Sequence, residues 1–126
     1  MVRPEIVNDS MGPVIYHAAD FSRVTAGNPA RAGETLIAMA SGLGPTTPAF
    51  EPGRAFANDS RNVPNAPVEV AIGGRMGEVV NQVGWPGLLD RYRVDFRVPA
   101  ETAAGVVSVR LTAAWIPGPE ASFTVR

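Results

Sequence analysis

Apolar residues recur at every second position along much of this chain, and that period belongs to half-buried strands. The clearest run is Tyr92, Val94, Phe96 and Val98, alternating with Arg91, Arg93, Asp95 and Arg97. Pleating sends the two sets to opposite faces, so the first set is expected in the core and the second in solvent. Val68, Val70 and Ile72 alternate in the same way and run into Gly73-Gly74. Two residues that tolerate positive φ are what a primed hairpin turn requires. Arg75 to Val83 is the expected return strand. Its apolar residues Met76, Val79, Val80 and Val83 break strict alternation, which predicts a bulge near Gly77. Thr35 to Ala40 is a continuous apolar run between breakers, the pattern of a strand with little exposed surface.

The punctuation around these runs is Gly and Pro. Pro29 fixes its own φ and biases Asn28 toward extended geometry, Gly33 permits a reversal, and Gly42-Leu43-Gly44-Pro45 stops the strand that follows. Pro4 to Val7 and Gly12 to Ala18 are expected strands, joined to the rest by a polar connection over Asp20 to Gly27. Gly42 to Pro67 is proline-rich, with one short edge strand expected near Arg54 to Ala57. Ala100 to Ala104 suits a turn of helix, and Val106 to Ala113 and Ser122 to Val125 are strands joined by a turn at Ile116-Pro117-Gly118-Pro119. Helical stripes of normal length are absent. About seven to eight short antiparallel strands spaced by turns describe an all-β, immunoglobulin-like sandwich. It forms a single domain over residues 1–126, with N-terminal edge strands in 1–20 and the sandwich core in 26–126.

Composition narrows the function classes. With no cysteine, thiol catalysis, thiolate zinc sites and disulfides are excluded. The net charge of −1 leaves no basic footprint for nucleic acid. Every cation is Arg, scattered along the chain, which reads as the codon bias of a GC-rich genome. No apolar run approaches the roughly 20 residues of a membrane span. Met1 to Ile6 lacks the apolar core of a signal peptide, so the signal of an exported protein is expected upstream, with Met1 a cloning start.

Candidate chemistry is sparse. His17 is the only histidine, and catalysis by it requires a carboxylate such as Asp20 or Glu34 beside it. Its bland reading is a structural histidine in an apolar strand. Asn8-Asp9-Ser10 and Asn58-Asp59-Ser60 offer oxygens for calcium and match a glycosylation sequon, but such triplets ordinarily make turns through side-chain to backbone bonds. Gly73-Gly74 and Gly42-Leu43-Gly44 open no helix and precede no lysine, so they read as turns, not a phosphate cradle. Arg91, Arg93 and Arg97 suit an anionic ligand or, more simply, a solvated strand face. Trp85 and Trp115 sit beside Pro and Gly at turns. There each indole either stacks on a sugar ring or partner, or caps the core. The candidate binding residues are therefore Trp85, Trp115, Arg91 and Arg93. No catalytic residue, metal or cofactor is assigned.

Asn28-Pro29-Ala30-Arg31-Ala32-Gly33-Glu34, Ser41-Gly42-Leu43-Gly44-Pro45, Val68 to Gly74 and Tyr92 to Pro99 occur in that order. This set resembles the repeated C-terminal domain of unknown function found in exported proteins of Solibacter and related Acidobacteria. It is distantly similar to immunoglobulin-like IPT/TIG domains. The likeness covers about residues 12–126. Here Asp90 to Asp95 is more charged than the family's pattern, and a preceding sandwich half typical of the family is missing. The resemblance implies a non-catalytic structural, adhesion or interaction module, the C-terminal part of a longer secreted or cell-surface bacterial protein. The alternative is a carbohydrate-binding module using loop tryptophans. Expected partners are other domains of the same chain, a surface partner or a polysaccharide, or a second copy through an exposed edge strand.

Overall fold

The computed structural model describes residues 4–43, 46–47, 63–64, 67–85 and 91–126. Strands β1 (Glu5–Ile6) and β4 (Ile15–His17) flank a small hairpin of β2 (Asn8–Asp9) and β3 (Gly12–Pro13). Both β1 and β4 pair antiparallel with β5 (Thr35–Ser41), at Ala40–Ser41 and at Leu36–Ala38 respectively. Between them the Val7 amide donates to Met39, the Met39 amide to Val14, and the Val14 amide to Val7. The N-terminal segment is therefore one edge strand interrupted by a hairpin excursion.

Beyond β5, β6 (Thr46–Thr47) pairs with β7 (Val63–Pro64), so the short strands described in the proline-rich stretch lie at its two ends. Arg54 to Ala57 and Gly44 lie outside the described residues. Then come β8 (Val68–Ile72), β9 (Arg75–Met76), β10 (Glu78–Gly84), β11 (Tyr92–Arg97), β12 (Gly105–Ala113), β13 (Ile116–Pro117) and β14 (Ala121–Val125). One sheet runs β1/β4–β5–β11–β10. The other runs β9–β8–β12, with β14 and β13 on the far side of β12. Both are antiparallel, and their inner faces enclose one core. The chain is an all-β sandwich.

The alternation places the core correctly. Tyr92, Val94, Phe96 and Val98 are buried, as are Val68, Val70 and Ile72 and the odd-numbered residues of β12 from Val107 to Ala113. Across β5 and β11, Leu36 faces Phe96, Ala38 faces Val94 and Ala40 faces Tyr92. Small residues opposite large ones let the two rows fill the layer without overpacking. Each fully buried aromatic of this kind contributes about 1.5–3 kcal/mol.

Five expectations are corrected. The return strand after Gly73-Gly74 is split: only Arg75–Met76 pairs with β8, and at Gly77 the chain crosses to the other sheet as β10. The bulge falls between Val79 and Asn81, not near Gly77. A Cβ on Gly77 would lie 2.9 Å from Ile72 Cδ1 and 3.2 Å from the Arg97 carbonyl, so the crossing leaves no room for a side chain. The last hairpin turns at Ala114-Trp115, and Ile116–Pro117 is already its return strand. Ala100 to Ala104 holds only a turn closed by Thr102 N–H to the Pro99 carbonyl, because one such bond is too little to propagate a helix. Asp95, expected in solvent, is buried. The hairpin itself is as read: Gly73 and Gly74 have φ of 58° and 82°.

The stretch from Asn28 joins the two sheets. Ala30 pairs in parallel with Val125: its amide donates to Thr124 and its carbonyl accepts from Arg126. Three residues later Gly33, at φ 83°, turns the chain into β5: the Gly33 amide donates to the Val98 carbonyl and the Val98 amide donates to the Glu34 carbonyl.

Candidate functional site

The outer face of the β5 sheet carries a second small layer. Tyr16, Ile37 and Asp95 are register neighbours across β4, β5 and β11, so they share that face. Ile37 is fully buried there, although it points away from the core. On the same side Tyr16 and Phe21 have ring centroids 5.5 Å apart, and Trp85 stands 6.2 Å from Tyr16 and 6.3 Å from Phe21. Trp85 packs edge-on against Phe21 at 81°. Two guanidinium groups flank the rings: Arg23 lies 5.9 Å from the Tyr16 centroid and Arg93 5.4 Å from that of Phe21.

Each of these arginines is fixed by a carboxylate. Arg93 donates to both oxygens of Asp95, from Nε at 2.9 Å and a terminal nitrogen at 3.1 Å. That pairing is why Asp95 tolerates burial. Arg23 is bidentate on Asp9, at 2.8 and 3.0 Å, and also donates to the Gly12 and Pro13 carbonyls. These bonds, and then the Met11 amide, pull the Asp9 carboxyl down to about 2. The result is a row of acid, guanidinium, ring, ring, guanidinium and acid, each group oriented by the next.

Phe21 is presented by an unusual backbone. It has φ 61° and is half exposed. The left-handed region costs a bulky residue on the order of 1–3 kcal/mol and persists only where neighbours over-determine it. Here the Phe21 amide donates to His17 and the His17 amide to Ser22, both at 2.8 Å. The Ser22 amide and hydroxyl both donate to Asp20 Oδ1. Those bonds hold the Asp20 carboxyl below its ordinary value, the hydroxyl contributing most.

Behind this loop is a depression of about 430 Å³ lined by His17, Asp20, Ser22, Asn28, Arg31 and Glu34, among others. His17 is buried, with both ring nitrogens engaged. Nδ1 meets Glu34 Oε2, and Nε2 lies 3.0 Å from the Asn28 carbonyl oxygen. Burial pulls the imidazole toward neutrality, but the Glu34 carboxylate, the Asn28 carbonyl and the charge of Asp20 outweigh it and raise its pKa. Ser22 Oγ donates to Asp20 and accepts from Asn28, so it does not serve His17 as a nucleophile would. No group of three or more His, Cys, Asp or Glu side chains able to hold an ion occurs among the described residues. Asn8-Asp9-Ser10 makes a turn in which Asp9 accepts from the Met11 amide, and Asn58-Asp59-Ser60 lies outside the described residues.

Of the residues singled out from the sequence, Trp85 and Arg93 are brought together, linked through Phe21. Arg91 is part-buried at the start of the same segment, and its carbonyl accepts from the Trp85 amide. Trp115 lies on the other sheet, 76% exposed at the tip of the β12–β13 hairpin. Ala114 and Trp115 have φ of 50° and 63°, the primed-turn geometry made elsewhere in this sheet by Gly73-Gly74. Tyr16, Phe21 and Arg23 are not singled out by any motif in the sequence. The one signal for them is an aromatic, Phe21, inside the polar connection Asp20 to Gly27. No protein-family model, curated protein or solved structure matches the chain. Among the described residues, no helix is long and apolar enough to cross a membrane.

Proposed function

We propose that this chain is a non-catalytic, immunoglobulin-like interaction module of an exported bacterial protein, meeting a neighbouring domain or surface partner through the Tyr16–Phe21–Trp85 layer. The observation that carries this reading is Phe21, a bulky apolar residue held half exposed in a left-handed conformation between two other rings and a guanidinium. Aromatic and arginine side chains on a rigid sheet face are the residue types that dominate interface energetics. The immunoglobulin-like part of the proposal draws support from strand order. Reading β4, β5, β8, β10, β11, β12 and β14 as A, B, C, D, E, F and G gives ABED in one sheet and CFG in the other. The non-catalytic part draws support from His17, whose two nitrogens are both occupied by acceptors. Export and kinship to the acidobacterial repeat rest on the sequence resemblance.

The test is to express the chain with its upstream coding region and measure acrylamide quenching of Trp85 in a Trp115→Phe background. Shielding of Trp85 in the longer protein, lost on Phe21→Ala, is the expected result. Equal quenching in both proteins, with no partner that depends on Phe21, overturns the reading. A second reading, carbohydrate binding, is favoured by Trp115, whose exposed indole stands on a clamped hairpin tip. Polysaccharide affinity electrophoresis separates the two: binding lost in Trp115→Ala but kept in Phe21→Ala selects the carbohydrate module.

A further inference from the structure

We infer that His17 is a proton-dependent latch on the loop that carries Phe21, so that the shape of the aromatic layer depends on the charge of one buried imidazole. The geometry demands the charged form. Glu34 presents a carboxylate oxygen to Nδ1, and Asn28 presents a carbonyl oxygen to Nε2. Both partners accept, so both ring nitrogens must donate, and only the imidazolium has two N–H groups. A neutral imidazole of either tautomer turns a lone pair on an oxygen.

The two partners of His17 are also the two anchors of the loop. Asn28 donates from its side chain to Ser22 Oγ and the Arg23 carbonyl, and its backbone closes the turn with Thr25. Glu34 accepts the Arg31 amide at the crossing between the sheets. Ser22 and His17 in turn bracket Phe21 through backbone bonds. Losing either ring bond therefore loosens the strained turn that presses Phe21 against Tyr16, Trp85 and Arg93. The charged groups facing His17 are Glu34 at the start of β5, Asp20 in the loop, Arg31 at the sheet crossing and Arg126 after β14. The two acids favour the proton. Against the pull of burial, the bonds to Glu34 and Asn28 and the two acid charges raise the imidazole above its ordinary 6.5, so the latch is closed below that raised midpoint and opens as pH climbs through it.

The significance of the latch for partner binding rests on the interaction reading above. Its test needs no partner, so the two can fail separately. Imidazole NMR gives the His17 midpoint, and hydrogen exchange gives protection at Phe21, Ser22 and Asn28 across it, with Trp85 emission followed in a Trp115→Phe chain. The expected result is a midpoint above 6.5 and at least a tenfold loss of protection at those amides above it. Trp85 emission changes at the same midpoint, while Val94 and Leu111 stay protected. His17→Gln should flatten both profiles. Glu34→Gln, which keeps the histidine but removes the carboxylate, should move the midpoint down and carry the loop transition with it. A histidine that titrates while the loop amides and Trp85 remain unchanged overturns the latch, and so does a loop transition that persists unshifted in Glu34→Gln.

Discussion

Gly118→Ala is expected to detach the N-terminal edge of the sandwich. A Cβ built on Gly118 lies 2.0 Å from the Pro4 carbonyl oxygen and 3.2 Å from that of Leu111. Carbon and oxygen in ordinary contact stand more than an ångström farther apart than the first of these, and the blocking atom is backbone, so no rotamer change relieves it. The Leu111 side is fixed by the Gly118 amide, which donates to the Leu111 carbonyl at 2.8 Å. The Pro4 side must therefore move. What it can lose sets the magnitude: Ile6, almost fully buried, and the pairing of β1 with Ala40–Ser41. Burial of an isoleucine is worth about 2 kcal/mol and the backbone bonds of an edge about 1 kcal/mol each, so the expected loss is about 3–4 kcal/mol.

Urea denaturation measures the total, and a double-mutant cycle with Ile6→Ala tests the cause. If Gly118→Ala acts by displacing β1, the two changes share one loss. The double variant is then more stable than additivity predicts by about 2 kcal/mol, the part of Ile6's burial counted twice. Hydrogen exchange should show the Val7 amide, bonded to Met39, losing protection while Val94 keeps it. A Gly118→Ala protein within about 0.5 kcal/mol of the parent, or a cycle additive to the same margin, refutes the argument.

Ala114→Gly should stabilise by about 0.5–1 kcal/mol, since relief of a left-handed residue, about 1–2, exceeds the added chain entropy, about 0.4–1. Gly74→Ala, which meets no atom within 4 Å but holds φ 82°, should destabilise through strain alone; equal urea midpoints for the two changes would contradict both. His17 contributes stability that is full below its unfolded value near 6.5 and is lost as pH rises through the raised folded value. The difference in urea midpoint between parent and His17→Gln should therefore shrink on the alkaline side. Asp9 works in the other direction: its contribution is full above the unfolded 3.8 and fades as pH falls through about 2. A carboxyl NMR midpoint at or above 3.8 would rule out the ion pair with Arg23.

The β-sandwich was legible because period two is a local property. Tyr92 to Val98 and Val68 to Ile72 state their faces without reference to anything else, and Gly73-Gly74 states its turn. The errors fall where a long-range contact overrides a local signal. Gly77 looks like a flaw in one strand, but it is where the chain leaves one sheet for the other, squeezed between Ile72 and the Arg97 carbonyl. Gly118 looks like the tip of a turn because glycines usually are. It is needed instead for a backbone approach to Pro4, far away in sequence, and this leaves Ala114 and Trp115 to make the turn at a cost in strain. A glycine reserved for packing is one that the hairpin cannot use.

The candidate site was less legible for a related reason. Arg93 and Asp95 look like a solvated face in the sequence because alternation says only which side of a sheet a residue takes, not whether that side is covered. The cover comes from elsewhere: Phe21 from a loop that composition marks as polar, Tyr16 from the edge strand, Trp85 from the end of β10. Glu34 is one of the two carboxylates that the sequence offers His17, and the two do meet. The Asn28 carbonyl on the other ring nitrogen could not be read from the sequence, because a backbone acceptor carries no residue signature. The only histidine of the chain thus lies where the edge strand, the Phe21 loop and the crossing between sheets converge. In the latch proposed for it, that position is what lets one charge act on the shape of the surface.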